Sequence, residues 1–180
     1  MSAVLEAKDA IRELMATYAQ ALDACRFADV AACFAADGEW TTDYGAARGP
    51  AEIEAFIRGI VPVKGEGPQR KHYITNIIIR VDGDTASSVS DYLIIRESEN
   101  GLIPVMGGTY KDRFVKTPAG WRFSRKELVH DIAGEAGGDV GEGAGIECLR
   151  VSGHQLADCV LGFEHGGHGV HLMMLGSWVR

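Results

Sequence analysis

The sequence predicts an α+β domain in which three N-terminal helices pack on one face of a curved antiparallel sheet. Two observations lead to this fold class. Apolar residues recur at helical spacing through the first third of the chain, and long β-prone runs separated by turn signals follow. Helices followed by consecutive strands are typical of α+β domains, in which the helices cover one face of the sheet.

The first two elements are predicted to be helices over residues 4–22 and 27–36. The first helix is amphipathic, and its core-facing stripe repeats at three- and four-residue steps: Ile11, Leu14, Met15, Tyr18 and Leu22. The second is rich in alanine. We expect it to end at Asp37-Gly38, because glycine readily adopts the left-handed conformation that ends many helices.

A short strand over residues 39–44 separates these helices from a third. The strand is predicted from its β-prone Trp, Thr and Tyr residues. Gly49-Pro50 then opens a helix over residues 51–60, since proline is favoured in the first helical turn, and Pro62 ends it.

Four long β-prone runs follow, and tight turn signals join them into an antiparallel meander. The signals are Asp82-Gly83-Asp84, Asn100-Gly101 and the segment 117–120, all typical of short hairpin connections. The predicted strands cover residues 71–81, 85–97, 103–116 and 121–131.

The composition changes at the end of the last predicted strand, which divides the chain into a domain over residues 1–133 and a tail over residues 134–180. The tail contains 12 of the 23 glycines and four of the six histidines. Its apolar segments 172–175 and 177–179 would add an edge strand, pack on another subunit or stay mobile. His165, His168 and His171 do not predict a metal site, because interleaved glycines disfavour a helix and no nearby cysteine completes four ligands.

Net charge and cysteine spacing exclude several classes of function. A formal net charge of −7 disfavours nucleic acid and anionic membrane surfaces as partners. Neither a long apolar run nor a signal peptide is found, which predicts a soluble, cytoplasmic protein. The four cysteines show no CxxC spacing and are expected to be reduced: Cys25, Cys33, Cys148 and Cys159.

Five short segments mark fixed points along the domain: YAQALD at 18–23, FAADGEW at 34–40, RGP at 48–50, KHYITN at 71–76 and GWRF at 120–123. Together they resemble the nuclear transport factor 2-like (SnoaL-like) superfamily. The resemblance covers about residues 5–132. It implies a cone-shaped, cystatin-like α+β barrel and gives no support to any role for residues 134–180.

Within the superfamily the chain is most similar to lindane dehydrochlorinase, bile-acid 7α-dehydratase and scytalone dehydratase, which use an aspartate and a histidine as a catalytic pair. The resemblance implies that Asp23 and His72 are that pair and meet inside an apolar pocket. Tyr18 matches a pocket tyrosine of the bile-acid enzyme. Lys126 aligns with an arginine that assists the leaving group in the dehydrochlorinase, although Arg125 lies on the opposite strand face and only one of the two can face inward.

Aromatic and polar residues around the pair are the candidate substrate contacts. Trp40, Tyr44 and Phe56 would supply apolar wall for a ring-shaped molecule, with plain core packing as the alternative. Thr75 and Asn76 would add polar contacts. Residues 91 and 92 are also neighbours on a strand, so only one of them can face the pocket, and the sequence does not show which.

The candidate pair suits general acid/base chemistry. An aspartate facing an imidazole selects one tautomer and stabilises the imidazolium that forms when the ring takes a proton. His72 would therefore be the base in an elimination or isomerisation. This chemistry needs no metal, nucleotide or flavin, and no Gly-rich phosphate loop follows a strand, so no cofactor is predicted.

Two classes of function remain open. The first is a cofactor-independent lyase or isomerase, of the dehydratase, dehydrohalogenase or ketosteroid-isomerase type, acting on a hydrophobic cyclic molecule. The second is a non-catalytic module that binds a small molecule or a protein through the same fold. The Asp/His pair argues against a third idea, a small oxygenase subunit. Related domains form dimers or trimers, so a homo-oligomer is expected.

Overall fold

Three helices and six strands make up the described part of the chain. The computed structural model describes residues 2–67, 69–99 and 101–133. In chain order the elements are α1 (Ala3–Asp23), α2 (Phe27–Ala32), β1 (Phe34–Thr42), β2 (Gly45–Arg48), α3 (Gly49–Ile60), β3 (Arg70–Asp82), β4 (Thr85–Ser98), β5 (Gly101–Thr117) and β6 (Gly120–Ala133). The apolar segments 172–175 and 177–179 and the tail histidines lie outside the described residues.

The six strands form one curved, open sheet in the order β2-β1-β6-β5-β4-β3. Strands β3 to β6 pair antiparallel with their chain neighbours, which confirms the predicted meander. Strand β1 instead runs parallel to β6 and forms an antiparallel hairpin with β2. The predicted α+β class is therefore confirmed.

The second helix is shorter than predicted, because β1 begins where a helical end was expected. Helix α2 stops at Ala32, and Asp37-Gly38 lies inside β1. Gly38 does not adopt the left-handed conformation expected of a residue that ends a helix. Glycine is needed there because a Cβ would lie only 2.8 Å from the Phe123 carbonyl oxygen. Pairing with β6 thus overrides the helical propensity of the alanines.

Strand β2 was missed in the sequence for a related reason. Its residues are Gly, Ala, Ala and Arg, which have little intrinsic preference for strands. The segment becomes a strand because it pairs with the end of β1, where Trp40 faces Ala47. Side-chain packing between β1 and β2 stabilises the strand, although its residues have low intrinsic strand propensity.

The core lies between the helices and one face of the sheet. The apolar stripe of α1 and two isoleucines of α3 are buried against aromatic residues of the last two strands: Ile11, Met15, Tyr18, Leu22, Ile53, Ile57, Phe114, Trp121 and Phe123. Alternate residues along β4, from Ala86 to Ile94, are buried, and those between them are exposed. One face of the sheet therefore holds the core, as the period of two requires.

The described helices include none that is both long and apolar enough to cross a membrane. Within residues 2–67, 69–99 and 101–133, no group of three or more potential metal-ligating His, Cys, Asp or Glu side chains converges.

Candidate active site

The last residue of helix α1 meets the beginning of strand β3. The His72 Nδ1 and Asp23 Oδ1 atoms are 2.6 Å apart, and the His72 backbone N–H also donates to Asp23 Oδ1 over 3.0 Å. Each side chain is only 7% exposed. The structure therefore brings together two residues that are 49 positions apart in the sequence.

The hydrogen bonds around Asp23 determine the state of the pair. Lys71 Nζ lies 3.2 Å from the second carboxylate oxygen. Burial alone would raise the pKa of Asp23, but bonds from His72 and Lys71 outweigh it and hold the pKa below its usual value. An ionised carboxylate can only accept hydrogen bonds, so Nδ1 carries the imidazole proton. The lone pair is then on Nε2, which has no hydrogen-bond partner among the described residues.

A narrow cleft surrounds this pair. Apart from Asp23 and His72, it is lined by Leu22, Cys25, Val61, Pro62, Gln69 and Arg70. It has room for about one water-sized group. The sequence predicted an apolar pocket for a ring-shaped molecule. The structure shows a smaller, partly polar cleft instead, because large side chains fill the space between the helices and the sheet.

Tyr18 is one of these filling side chains. Its hydroxyl accepts a 3.0 Å hydrogen bond from the Trp40 indole N–H, and its ring packs edge-on against Phe34 and Phe123. Burial raises the pKa of Tyr18 well above its ordinary value, so the hydroxyl stays neutral. Within the described ranges no hydrogen bond joins Tyr18 to the Asp23–His72 pair.

Lys126 occupies the centre of the core. Its Nζ lies 3.2 and 3.3 Å from the two carboxylate oxygens of Asp112 and 3.5 Å from the centre of the Tyr110 ring. Both charged side chains are 0% exposed. Arg125 faces the other way and forms an ion pair with Glu127. The structure thus places Lys126 inward, but the leaving-group role implied by the resemblance needs an accessible ammonium, and this one is enclosed.

The three aromatic candidates occupy different environments. Trp40 is buried and packs against the partly buried Phe56, with ring centres 5.2 Å apart. Tyr44 is 50% exposed and stacks on the imidazole of His130 at 5.1 Å. Trp40 and Phe56 therefore belong to the core, and Tyr44 lies at the rim of the sheet.

Thr75 and Asn76 are not brought to the pair. Both are exposed, and Thr75 lies an odd number of residues from His72, which puts it on the other face of β3. The strand is irregular between Thr75 and Ile78, and Asn76 has a left-handed φ of 53°. Its amide donates to an Asp91 carboxylate oxygen over 2.6 Å. The pattern of single residues does not reveal such a bulge.

A second histidine, which is partly buried, was missed in the sequence. His130 Nε2 lies 3.0 Å from the Thr42 hydroxyl, and Nδ1 contacts the hydroxyl of Tyr92. Tyr92 in turn stacks on Tyr110, with ring centres 4.3 Å apart. Alternation along β6 from the inward-facing Lys126 was the available signal, because residues at even steps from it share its face.

His130 is expected to make stability depend on pH. Burial lowers the pKa of His130, with Asp43 and Asp131 partly opposing the shift. The unfolded state then binds a proton more readily, so this contribution is complete above about pH 6.5 and lost as pH falls through the lowered folded-state pKa. Urea unfolding at pH 7.5 and 5.5 should show a smaller loss for His130→Gln than for wild type. Thr42→Val, which keeps the imidazole, should retain the wild-type loss; equal losses in wild type and His130→Gln would contradict the assignment.

Comparison with known proteins confirms the resemblance seen in the sequence. A family model described as a SnoaL-like domain matches residues 3–127. Three curated relatives, one from Mycobacterium bovis and two from strains of Mycobacterium tuberculosis, are 33% identical over 119 residues. The match spans 64% of this chain and 80% of each relative, and all three are named as uncharacterized proteins.

Two solved structures from Novosphingobium aromaticivorans share the fold. One is an NTF2-like protein with a cystatin-like fold, 27% identical, with a TM-score of 0.64 over 74% of this chain and 87% of that one. The other is named as a candidate scytalone dehydratase and is 28% identical, with a TM-score of 0.61 over 71% and 86% of the two chains. Since the family model matches most of its length, the chain belongs to the SnoaL-like domain family.

Proposed function

We propose that this protein is a cofactor-independent lyase or isomerase that acts on a hydrophobic cyclic small molecule through Asp23 and His72. One observation carries the proposal: a 2.6 Å contact between two nearly buried side chains, the carboxylate of Asp23 and the Nδ1 atom of His72. With Nδ1 bonded to Asp23, Nε2 is the ring nitrogen that would take a proton from a substrate.

In the proposed reaction, Nε2 of His72 removes a proton from a carbon next to a carbonyl or a leaving group. The electron pair of the broken C–H bond forms a new double bond. The imidazolium is stabilised by the ionised Asp23, and it returns the proton to the departing group in an elimination or to another carbon in an isomerisation. Lys126 does not touch the substrate in this proposal, because Asp112 and three aromatic rings enclose it.

The apolar side chains that line the cleft favour an apolar substrate. Leu22, Val61 and Pro62 line it beside the pair. The cleft has room for about one water-sized group, so a cyclic substrate does not fit inside it as it stands. Such a substrate would bind at the opening of the cleft and displace the side chains of Val61 and Pro62, which follow α3. Tyr44 is half-exposed but does not line this cleft, so the proposal assigns it no substrate contact.

We also infer a homo-oligomer, a dimer or trimer. The outer face of the sheet carries four exposed large apolar side chains on β3 and β4: Tyr73, Ile78, Val89 and Leu93. A second subunit covering them would bury that area.

The narrowness of the cleft favours a second candidate function, binding without chemistry. A protein with a filled core could hold a ligand or a partner at its surface and leave Asp23 and His72 as structural residues. In that case a ligand would bind equally well, without turnover, to wild type and to the Asp23→Asn His72→Gln double variant.

Hydrogen–deuterium exchange at carbon tests the proposed function directly. The full chain is incubated in D2O with a panel of apolar cyclic ketones and β-hydroxy ketones, and deuterium incorporation and elimination are followed by NMR. Wild type is expected to accelerate one of them, and the double variant, checked for folding by circular dichroism, is expected not to. Equal rates for the two proteins, or no acceleration across the panel, would contradict the proposal.

A further inference from the structure

Two arginines lie side by side at the end of the sheet that holds the catalytic pair. Arg70 on β3 is directly opposite Arg96 on β4. Arg70 is two residues from His72, and Arg96 is two residues from Ile94, the partner of His72 across the strands. Alternation along both strands therefore puts the two guanidinium groups on the same face as His72.

Neither guanidinium has an acidic partner among the described residues. The Nε atoms of Arg70 and Arg96 are buried and make no hydrogen bond. Arg26, Arg58 and Arg125, by contrast, each form an ion pair with a nearby carboxylate. Arg70 and Arg96 are both partly buried, and no carboxylate within the described ranges forms an ion pair with either of them.

This arrangement is unfavourable without a bound anion. Like charges directly opposite each other across two strands destabilise the pairing. Burial lowers the pKa of Arg70, and the charge of Arg96 lowers it further. An oxyanion would offset both costs, because guanidinium groups bind carboxylate and phosphate oxygens through paired N–H donors.

The position of Arg70 links this charge to the reactive pair. It lines the same cleft as Asp23 and His72. The carboxylate of Asp23 already binds His72 and Lys71, so it does not neutralise the arginines. Two residues along a strand span about 7 Å, roughly the width of one six-membered ring.

We propose that Arg70 and Arg96 form an oxyanion-binding site, which holds the carboxylate or phosphate of an otherwise apolar ring compound beside His72. As a statement about the substrate, this inference rests on the proposed function, but the binding itself does not. The substrate class would then be cyclic organic acids or phosphate esters whose reactive carbon is about one ring away from the anionic group.

Direct binding of three probes that share one ring system tests the site. Titration calorimetry of the full chain uses 2-naphthoate, 2-naphthyl phosphate and the uncharged 2-naphthamide. We expect at least one anion to bind at least about tenfold more tightly than the amide, a difference of about 1.4 kcal/mol. Arg70→Met and Arg96→Met should each remove that preference. Arg80→Met, an exposed arginine on the same strand, should keep it.

Each outcome decides the inference. Preference for both anions supports it, and preference for only one also identifies the oxyanion. Equal binding of the amide, no binding of any probe, or an unchanged preference in both arginine variants overturns it. The methionine variants should fold, since each removes one of two facing charges, and their urea midpoints should equal or exceed that of wild type. Arg70→Lys, which retains the charge, should keep part of the preference.

The Asp23→Asn His72→Gln variant separates this inference from the proposed function. If it keeps the anion preference while wild type shows no exchange activity, the oxyanion site stands and the catalytic proposal fails. If wild type exchanges deuterium into neutral ketones and shows no anion preference, the catalytic proposal stands and the oxyanion site fails.

Discussion

Replacing Lys126 by methionine is expected to lower the free energy of unfolding by about 3–5 kcal/mol. The variant keeps an unbranched apolar side chain, one atom shorter than that of lysine, but removes the ammonium over the Tyr110 ring. Asp112, which is fully buried, then has no positive partner among the described residues. Burial raises the pKa of Asp112 already in wild type, with Lys126 opposing the shift, so loss of Lys126 forces the carboxyl group to take up a proton or destabilise the fold.

Urea unfolding at pH 7 measures this effect, and two variants serve as controls. Arg125→Met removes the neighbouring, partly exposed charge and should change stability by less than about 1 kcal/mol. The Lys126→Met Asp112→Leu double variant removes both buried charges and should recover most of the loss, since an apolar pair can replace a buried ion pair at little cost. A single variant as stable as wild type would show that the buried pair is not needed for the fold.

Replacing His72 by glutamine is expected to lower activity at least about a hundredfold once a substrate has been found. Glutamine can still accept and donate hydrogen bonds, but it cannot take a proton near neutral pH. The backbone N–H of residue 72 would still donate to Asp23, so the end of α1 should remain attached to β3. The loss should therefore appear in kcat/KM without a comparable loss of stability.

Asp23→Asn gives a matched comparison. The amide retains an oxygen for the backbone N–H of residue 72 and for the imidazole, but it carries no charge to stabilise an imidazolium. We expect a loss of the same kind as in His72→Gln, and the double variant should lose little more than either single one, because the two residues act as a unit. Independent, multiplicative losses would contradict a shared proton-transfer step.

Periodicity predicted most of the fold. The helical stripe of α1 was predicted from the spacing of apolar residues and the antiparallel meander from β-prone runs and turn signals, and both are confirmed. The end of α2 and strand β2 could not be predicted in this way. Their conformations depend on pairing with distant segments, at Phe123 and at Trp40, and no local pattern reports such contacts.

The candidate site was predictable only in part. Asp23 and His72 were identified from the resemblance, since nothing in their own surroundings indicates that they meet. Two other features depend on strand register: Lys126 is buried against Asp112, and Arg70 lies opposite Arg96. Turn signals alone do not determine the register of strands that contain bulges. Lys126 was therefore expected at the substrate and is found in the core.

The parallel pairing of β1 with β6 has a consequence for synthesis of the chain. Phe34 on β1 pairs with Phe123 on β6. Strand β1 is synthesised early, but it can pair with β6 only after that much later strand has been synthesised. The hairpins of the meander need only neighbouring segments and can form as they leave the ribosome, whereas the β1–β2 edge joins the sheet only after β6 has emerged. A nascent chain cut short before β6 would therefore expose the apolar side of β1, and with it a surface open to aggregation or chaperone binding.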